Sequence, residues 1–144
     1  MRFGKSKLNP FACDENEDIF SGSIVYDRLN TSGFGTASAA PLVAVYTSAF
    51  KPGSMYEGIQ AQSLAYSLDG GYSWTKHGGN PVLNRGSAEF RDPKVIRYDG
   101  GADSYWVMVA VEATDFQVVL YKSRDLQSWE LLSTFGPANA TGGV

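Results

Sequence analysis

The sequence reads as an all-β chain built from two four-stranded antiparallel units of the propeller-blade kind. Three observations carry that reading. Apolar residues recur with period two or in short continuous runs, and nowhere as a long helical stripe. Turn formers are frequent, with 16 Gly and 6 Pro in 144 residues, which favours many short strands. A turn motif also occurs twice. Ser67-Leu68-Asp69-Gly70-Gly71-Tyr72-Ser73-Trp74 is matched by Ser123-Arg124-Asp125-Leu126-Gln127-Ser128-Trp129, with the tryptophans 55 residues apart (129 − 74). A repeat near 50 residues with four strands per unit is what stacked propeller blades produce.

The first unit is expected over about residues 20–80. Ser23 to Asp27 is a short strand. Leu42 to Ser48 (LVAVYTS) is β-branched and apolar, so it reads as a buried strand. Gln62 to Ser67 alternates, and Thr75 to His77 ends a fourth strand that begins near Ser73. The stretch from Arg28 to Pro41, rich in Ser, Gly, Ala and Thr, is a surface loop, as is Ala49 to Ile59. The second unit is expected over about residues 90–135. Its strands are Lys94 to Tyr98, Tyr105 to Val111, Phe116 to Ser123 and Trp129 to Ser133. Asp69-Gly70-Gly71, Gly78-Gly79-Asn80-Pro81 and Asp99-Gly100-Gly101 are the turns between strands. In the repeated motif an aspartate accepts hydrogen bonds from turn amides, and tryptophan staples the turn to the next strand. Asp69 and Asp125 are therefore read as turn formers.

Composition narrows the function. Lys plus Arg number 12 and Asp plus Glu 15, a net charge of −3. That argues against a nucleic-acid partner, which demands a basic surface. No apolar run approaches the roughly 18 residues of a membrane span, so no membrane partner is expected. Met1 to Pro10 is basic without an apolar stretch and does not read as a signal peptide. A secreted full-length parent is compatible with that. One cysteine (Cys13) excludes an internal disulfide, and one histidine (His77) excludes His-rich metal clusters. No phosphate-binding Gly-rich loop is present, and no metal or cofactor is expected. What remains is carboxylates, 19 aromatics (8 Phe, 8 Tyr, 3 Trp) and polar side chains, the equipment of sugar binding and glycosidic chemistry.

Glu89-Phe90-Arg91-Asp92-Pro93 stands just before the Lys94 strand. The proline is expected to push Asp92 into an extended conformation, with its carboxylate at a strand entrance facing a central channel. Arg91 beside it is expected to pair with it and keep it charged. A surface ion pair at a strand start fits the same residues. Phe20-Ser21-Gly22-Ser23 joins an aromatic to two hydroxyls ahead of a strand, and reads as a sugar contact or as a turn. Gln62 can point into a pocket or fill a polar place in the core. His77 reads as an ordinary surface histidine.

Taken in order, four segments carry a resemblance. They are Asp18-Ile19-Phe20-Ser21-Gly22-Ser23; Ala65-Tyr66-Ser67-Leu68-Asp69-Gly70-Gly71 with Trp74; Gly79-Asn80-Pro81-Val82-Leu83; and Phe90-Arg91-Asp92-Pro93-Lys94-Val95. Together they resemble glycoside hydrolase family 32, the invertase, levanase and inulinase group, over nearly all the chain from about Asn9. The resemblance implies a five-bladed β-propeller and retaining hydrolysis or transfer of fructosyl units from sucrose, levan or inulin. It implies three acidic residues: a nucleophile in an Asn-Asp-Pro-Asn-Gly-like stretch, an aspartate in Arg-Asp-Pro, and an acid/base glutamate in Glu-Cys. Only the second has a counterpart here, Asp92, as transition-state stabiliser. Phe20, Ser21, Arg91 and Gln62 become substrate-binding candidates beside it. Two blades cannot close a ring, so the chain is expected to need further blades of a parent protein and to be inactive alone. A non-catalytic carbohydrate-binding or scaffold propeller using the same turns is the alternative.

Overall fold

The structure, a computed structural model, describes residues 12–137. Eight strands form two four-stranded antiparallel sheets. The first holds β1 (Glu17–Tyr26), β2 (Leu42–Phe50), β3 (Gln60–Ser67) and β4 (Thr75–Lys76), in that order across the sheet. The second repeats the order with β5 (Phe90–Tyr98), β6 (Tyr105–Glu112), β7 (Gln117–Ser123) and β8 (Glu130–Phe135). Each strand pairs with its sequence neighbour, as in a meander closed by short turns. Helix is confined, among the described residues, to two single 3₁₀ turns, Gly101–Asp103 and Ala113–Asp115.

The pleat explains how the sheets stack. On β2, Val43, Val45 and Thr47 point one way and Ala44, Tyr46 and Ser48 the other. Val43, Val45 and Leu64 meet Phe90, Val95, Trp106, Met108, Ala110, Val119 and Tyr121 in one core between the sheets. Leu64 and Met108 are wholly buried, each contributing about 1.5–3 kcal/mol. Ala44, Tyr46, Ala65 and Trp74 form a smaller cluster on the far face of the first sheet. Polar clasps fix the stacking: Trp106 Nε1 donates to Thr31 Oγ1 at 2.8 Å, and Gln127 Nε2 donates to the Ser32 carbonyl at 2.7 Å.

The repeated motif folds the same way twice. Asp69 accepts from the Ser73 amide and hydroxyl, and Asp125 accepts from the Gln127 and Ser128 amides. Trp74 Nε1 donates to the Gly71 carbonyl at 2.9 Å, and Trp129 Nε1 to the Leu126 carbonyl at 2.8 Å. The hairpins also match in register, opening with Leu42 opposite Ser67 and Trp106 opposite Ser123.

Element boundaries differ from the sequence reading at several ends; β2 runs on through Ala49 and Phe50, which the sequence reading placed in a loop, and β8 is Glu130–Phe135 instead of Trp129 to Ser133. The first strand begins at Glu17 instead of Ser23, because Glu17, Asp18 and Ile19 pair with Phe50, Ala49 and Ser48. The fifth begins at Phe90 instead of Lys94 and runs through Pro93 by means of a bulge. The fourth is only two residues long. Phe116 belongs to a turn, with φ 54°, and the seventh strand starts after it. His77 is half-buried and tilted against Phe34, ring centroids 5.2 Å apart, so it is no free surface histidine.

Candidate functional site

The first strands of both sheets are interrupted within one residue of the same place. On β1 the ladder breaks between Ile19 and Gly22, and on β5 between Arg91 and Lys94. Ser23 pairs with Val45 and Lys94 with Val109, each pair three steps into its matched hairpin. Two residues upstream of each, Ser21 and Asp92 therefore occupy corresponding positions. A bulge turns side chains off the regular alternation and suits them to a ligand.

Why these residues bulge is local. Pro93 has no N–H for the ladder. At Gly22 a Cβ would lie 2.2 Å from the Val45 carbonyl oxygen and 2.8 Å from Tyr46 Cα, so only glycine lets the strands approach there. The two bulges lie side by side. Val95 N–H donates to Ser23 Oγ at 3.0 Å, and Asp92 N–H donates to Oγ1 of Thr47, the residue opposite Phe20 and Ser21. The two first strands thus run next to each other in one direction, with Phe20, Ser21 and Asp92 at one end.

Asp92 is not extended, as the following proline led us to expect. Its φ is 59°, in the left-handed region that aspartate tolerates better than most residues and that costs free energy nonetheless. The bulge overrides the local proline preference because the ladder must absorb an extra residue. Asp92 is exposed, and among the described residues its carboxylate has no hydrogen-bond or ion-pair partner.

Arg91 does not pair with Asp92. Its Nη2 meets Glu89 Oε2 at 2.5 Å and its Nη1 donates to Gln60 Oε1 at 3.3 Å. Neighbouring strand residues project to opposite sides, so sequence adjacency does not bring Arg91 and Asp92 together. Phe20 is 42% exposed and Ser21 is exposed, and both are open to a ligand. Gln62 is not: it is wholly buried, accepts from Thr47 Oγ1 at 2.9 Å and donates to the Phe90 carbonyl at 2.9 Å. Both ends of its amide are used inside the protein.

Two features escaped the sequence reading. Thr47 touches Asp92, and its only signal was a hydroxyl in the apolar run Leu42 to Ser48. Glu112 is buried at the end of β6, where it accepts from Ser87 Oγ at 2.6 Å and Arg85 Nε at 3.2 Å. Burial works against the charge of Arg85, and its contacts to Tyr121 and Glu112 outweigh that and raise its pKa. This pins the 85–87 loop over the sheet interface. Among the described residues no group of three or more His, Cys, Asp or Glu is placed to hold a metal ion.

Two stacked four-stranded antiparallel sheets of matched register define blades of the propeller kind, with an open carboxylate on a first-strand bulge. Comparison with known proteins makes this specific. The glycosyl hydrolases family 32 N-terminal domain matches residues 5–144, and the chain belongs to that family. It is 47% identical to a levanase of Bacillus subtilis over 133 residues, 91% of this chain and 18% of the relative. It is 44% identical to an invertase of Wickerhamomyces anomalus over 125 residues, 85% of this chain and 21% of the relative. The exo-inulinase of Aspergillus awamori superposes with a TM-score of 0.79 at 40% identity, over 93% of this chain and 28% of that one. The chain thus spans about a fifth of the length of these curated relatives.

Proposed function

We propose that this chain forms two blades of the catalytic propeller of a retaining β-fructofuranosidase, acting on sucrose, levan or inulin, with Asp92 as the transition-state carboxylate. The observation that carries the reading is Asp92 itself. A non-glycine residue is held at φ 59° with its carboxylate unpartnered among the described residues, and such backbone outliers collect at functional sites.

The chemistry asks for that group. As the glycosidic bond breaks, positive charge develops at the anomeric carbon and ring oxygen of the fructosyl unit. A fixed carboxylate nearby favours that state over the ground state, and it accepts charge-assisted hydrogen bonds from ring hydroxyls. Phe20 offers an apolar wall and Ser21 a hydroxyl from the adjacent strand. Arg91 keeps donors beyond those used by Glu89 and Gln60. A retaining mechanism needs two further carboxyl groups about 5–5.5 Å apart as nucleophile and acid/base. These are assigned to other blades, so residues 1–144 alone are expected to show no fructosidase turnover.

The test is Asp92→Asn in the full-length protein, which keeps shape and removes charge. With sucrose and a fructan as substrates, kcat is expected to fall about 10²-fold or more with a smaller change in KM. Near-normal kcat with a lowered Tm would make Asp92 structural and overturn the assignment.

A further inference from the structure

We propose that Thr47 and Gln62 are positioning residues that hold Asp92 in its left-handed conformation, a role that rests on the reading of Asp92 given above. Four groups form a closed circuit between two sheets. Asp92 N–H donates to Thr47 Oγ1 at 3.1 Å. The Thr47 hydroxyl donates to Gln62 Oε1 at 2.9 Å. Gln62 Nε2 donates to the carbonyl of Phe90 at 2.9 Å. Both ends of the circuit therefore grip β5, one residue to either side of Arg91.

The donors and acceptors admit one arrangement. A hydroxyl has a single hydrogen, and Thr47 already accepts from Asp92, so its hydrogen goes to Gln62. The amide oxygen must then face Thr47 and the amide nitrogen the Phe90 carbonyl, which can only accept. Gln62 is held in turn by its own backbone: its N–H donates to the Leu83 carbonyl at 2.9 Å, and its carbonyl accepts from Val82 at 2.9 Å. Thr47 and Gln62 are both at 0% exposure and the two bonds of the Gln62 amide are buried, while the Asp92 end of the circuit lies at the exposed bulge.

The internal repeat shows that the register of the hairpin does not by itself require this pair. Thr47 and Gln62 face each other five steps into the β2–β3 hairpin, which opens with Leu42 opposite Ser67. Five steps into the β6–β7 hairpin, which opens with Trp106 opposite Ser123, stand Val111 and Val118. The same register position is thus filled by two valines, of which Val111 is exposed and Val118 half-buried, on the face of the second sheet turned away from the first. A buried polar pair costs desolvation that a valine pair does not. Departures of this sort from local consistency gather where function demands them. What the pair supplies is a partner for the Asp92 amide, which the bulge removes from the ladder, and hence a fixed direction for the carboxylate. A misplaced catalytic group loses rate steeply with small displacements.

The experiment uses the full-length protein with Thr47→Val, Thr47→Ser, Asp92→Asn and the double variant Thr47→Val/Asp92→Asn, each measured for kcat, KM and Tm on sucrose. Thr47→Val has the shape found at Val111 and is expected to fold, with kcat lowered about 10-fold or more and KM changed less than about 3-fold. Thr47→Ser restores the hydroxyl and most of kcat. In the Asp92→Asn background Thr47→Val has little further effect, because its target is already disabled. Wild-type kcat in Thr47→Val, beside a crippled Asp92→Asn, overturns the positioning role and leaves the reading of Asp92 standing. Near-normal kcat in Asp92→Asn overturns both. A kcat loss that multiplies fully with Asp92→Asn, or that follows a fall in Tm without rescue by serine, also overturns it, since Thr47 would then act on the fold as a whole.

Discussion

Asp27, Asp69 and Asp125 show what single carboxylates do for the fold. Ser73, through its hydroxyl and amide, and the Ser67 hydroxyl draw the pKa of Asp69 down from 3.8 to about 2. Burial raises that of Asp125, but the Ser128 and Gln127 amides and the Ser123 hydroxyl outweigh it and leave it lowered. Asp27 behaves alike: burial raises its pKa, and bonds from Ser32 and Thr31 bring it below 3.8. In each case the unfolded chain binds the proton more readily than the folded one. Their stabilisation is therefore present above about pH 3.8, the unfolded value, and is lost as pH falls below it toward the folded pKa. A melting series from pH 5 to pH 2 should show Tm dropping over that window. Asp69→Asn and Asp125→Asn, which still accept hydrogen bonds, should each flatten the drop. A Tm independent of pH there would contradict the assignment.

The turn and the bulge are where element-scale effects show. The two copies of the turn motif solve one backbone problem with different residues. Gly71 (φ 96°) and Leu126 (φ 64°) supply the carbonyls to which Trp74 and Trp129 donate. A Cβ on Gly71 would make only ordinary contacts, the nearest at 3.7 Å. Gly71→Ala should therefore cost about 1–2 kcal/mol, the left-handed penalty of an L-residue. Leu126 already bears that penalty and is wholly buried in the core between the sheets. Leu126→Ala should cost about 2–5 kcal/mol through the cavity it leaves. Urea unfolding of both variants measures the difference, and equal costs would contradict the division of roles. At the β1 bulge, Gly22→Ala drives a methyl into the Val45 backbone. It is expected to destabilise by about 1–3 kcal/mol and to displace Ser21, so that in the full-length protein KM for sucrose rises along with the fall in Tm. An unchanged Tm would show that β1 yields freely.

At the scale of the whole molecule the two sheets have unequal surroundings. The face of the second sheet turned away from the first exposes Ile96 and Tyr98, and β8 exposes Leu131, Leu132 and Phe135. An apolar patch larger than a few hundred Å² promotes association. The 144-residue chain by itself is expected to self-associate in solution, with light scattering or sedimentation showing species above 15.6 kDa. A monodisperse monomer with one sharp thermal transition would refute this.

The sequence by itself determined the strand inventory and the two-unit repeat. Each rests on periodicity or on a turn motif, signals confined to a few neighbouring residues. It also marked Asp92, Phe20, Ser21, Arg91 and Gln62 as the residues to watch. Tertiary structure decided the rest. Which side of Arg91 meets a partner, and that the partner is Glu89 and Gln60, depends on the pleat and on a strand 31 residues away. The left-handed turn at Asp92 runs against its proline neighbour because two strands must share a ladder with one residue too many. Gln62 is buried because a second sheet closes over it, and Thr47 reaches Asp92 across 45 residues of chain. Contacts between residues so far apart are set by how the sheets stack, and no local pattern of side chains encodes them.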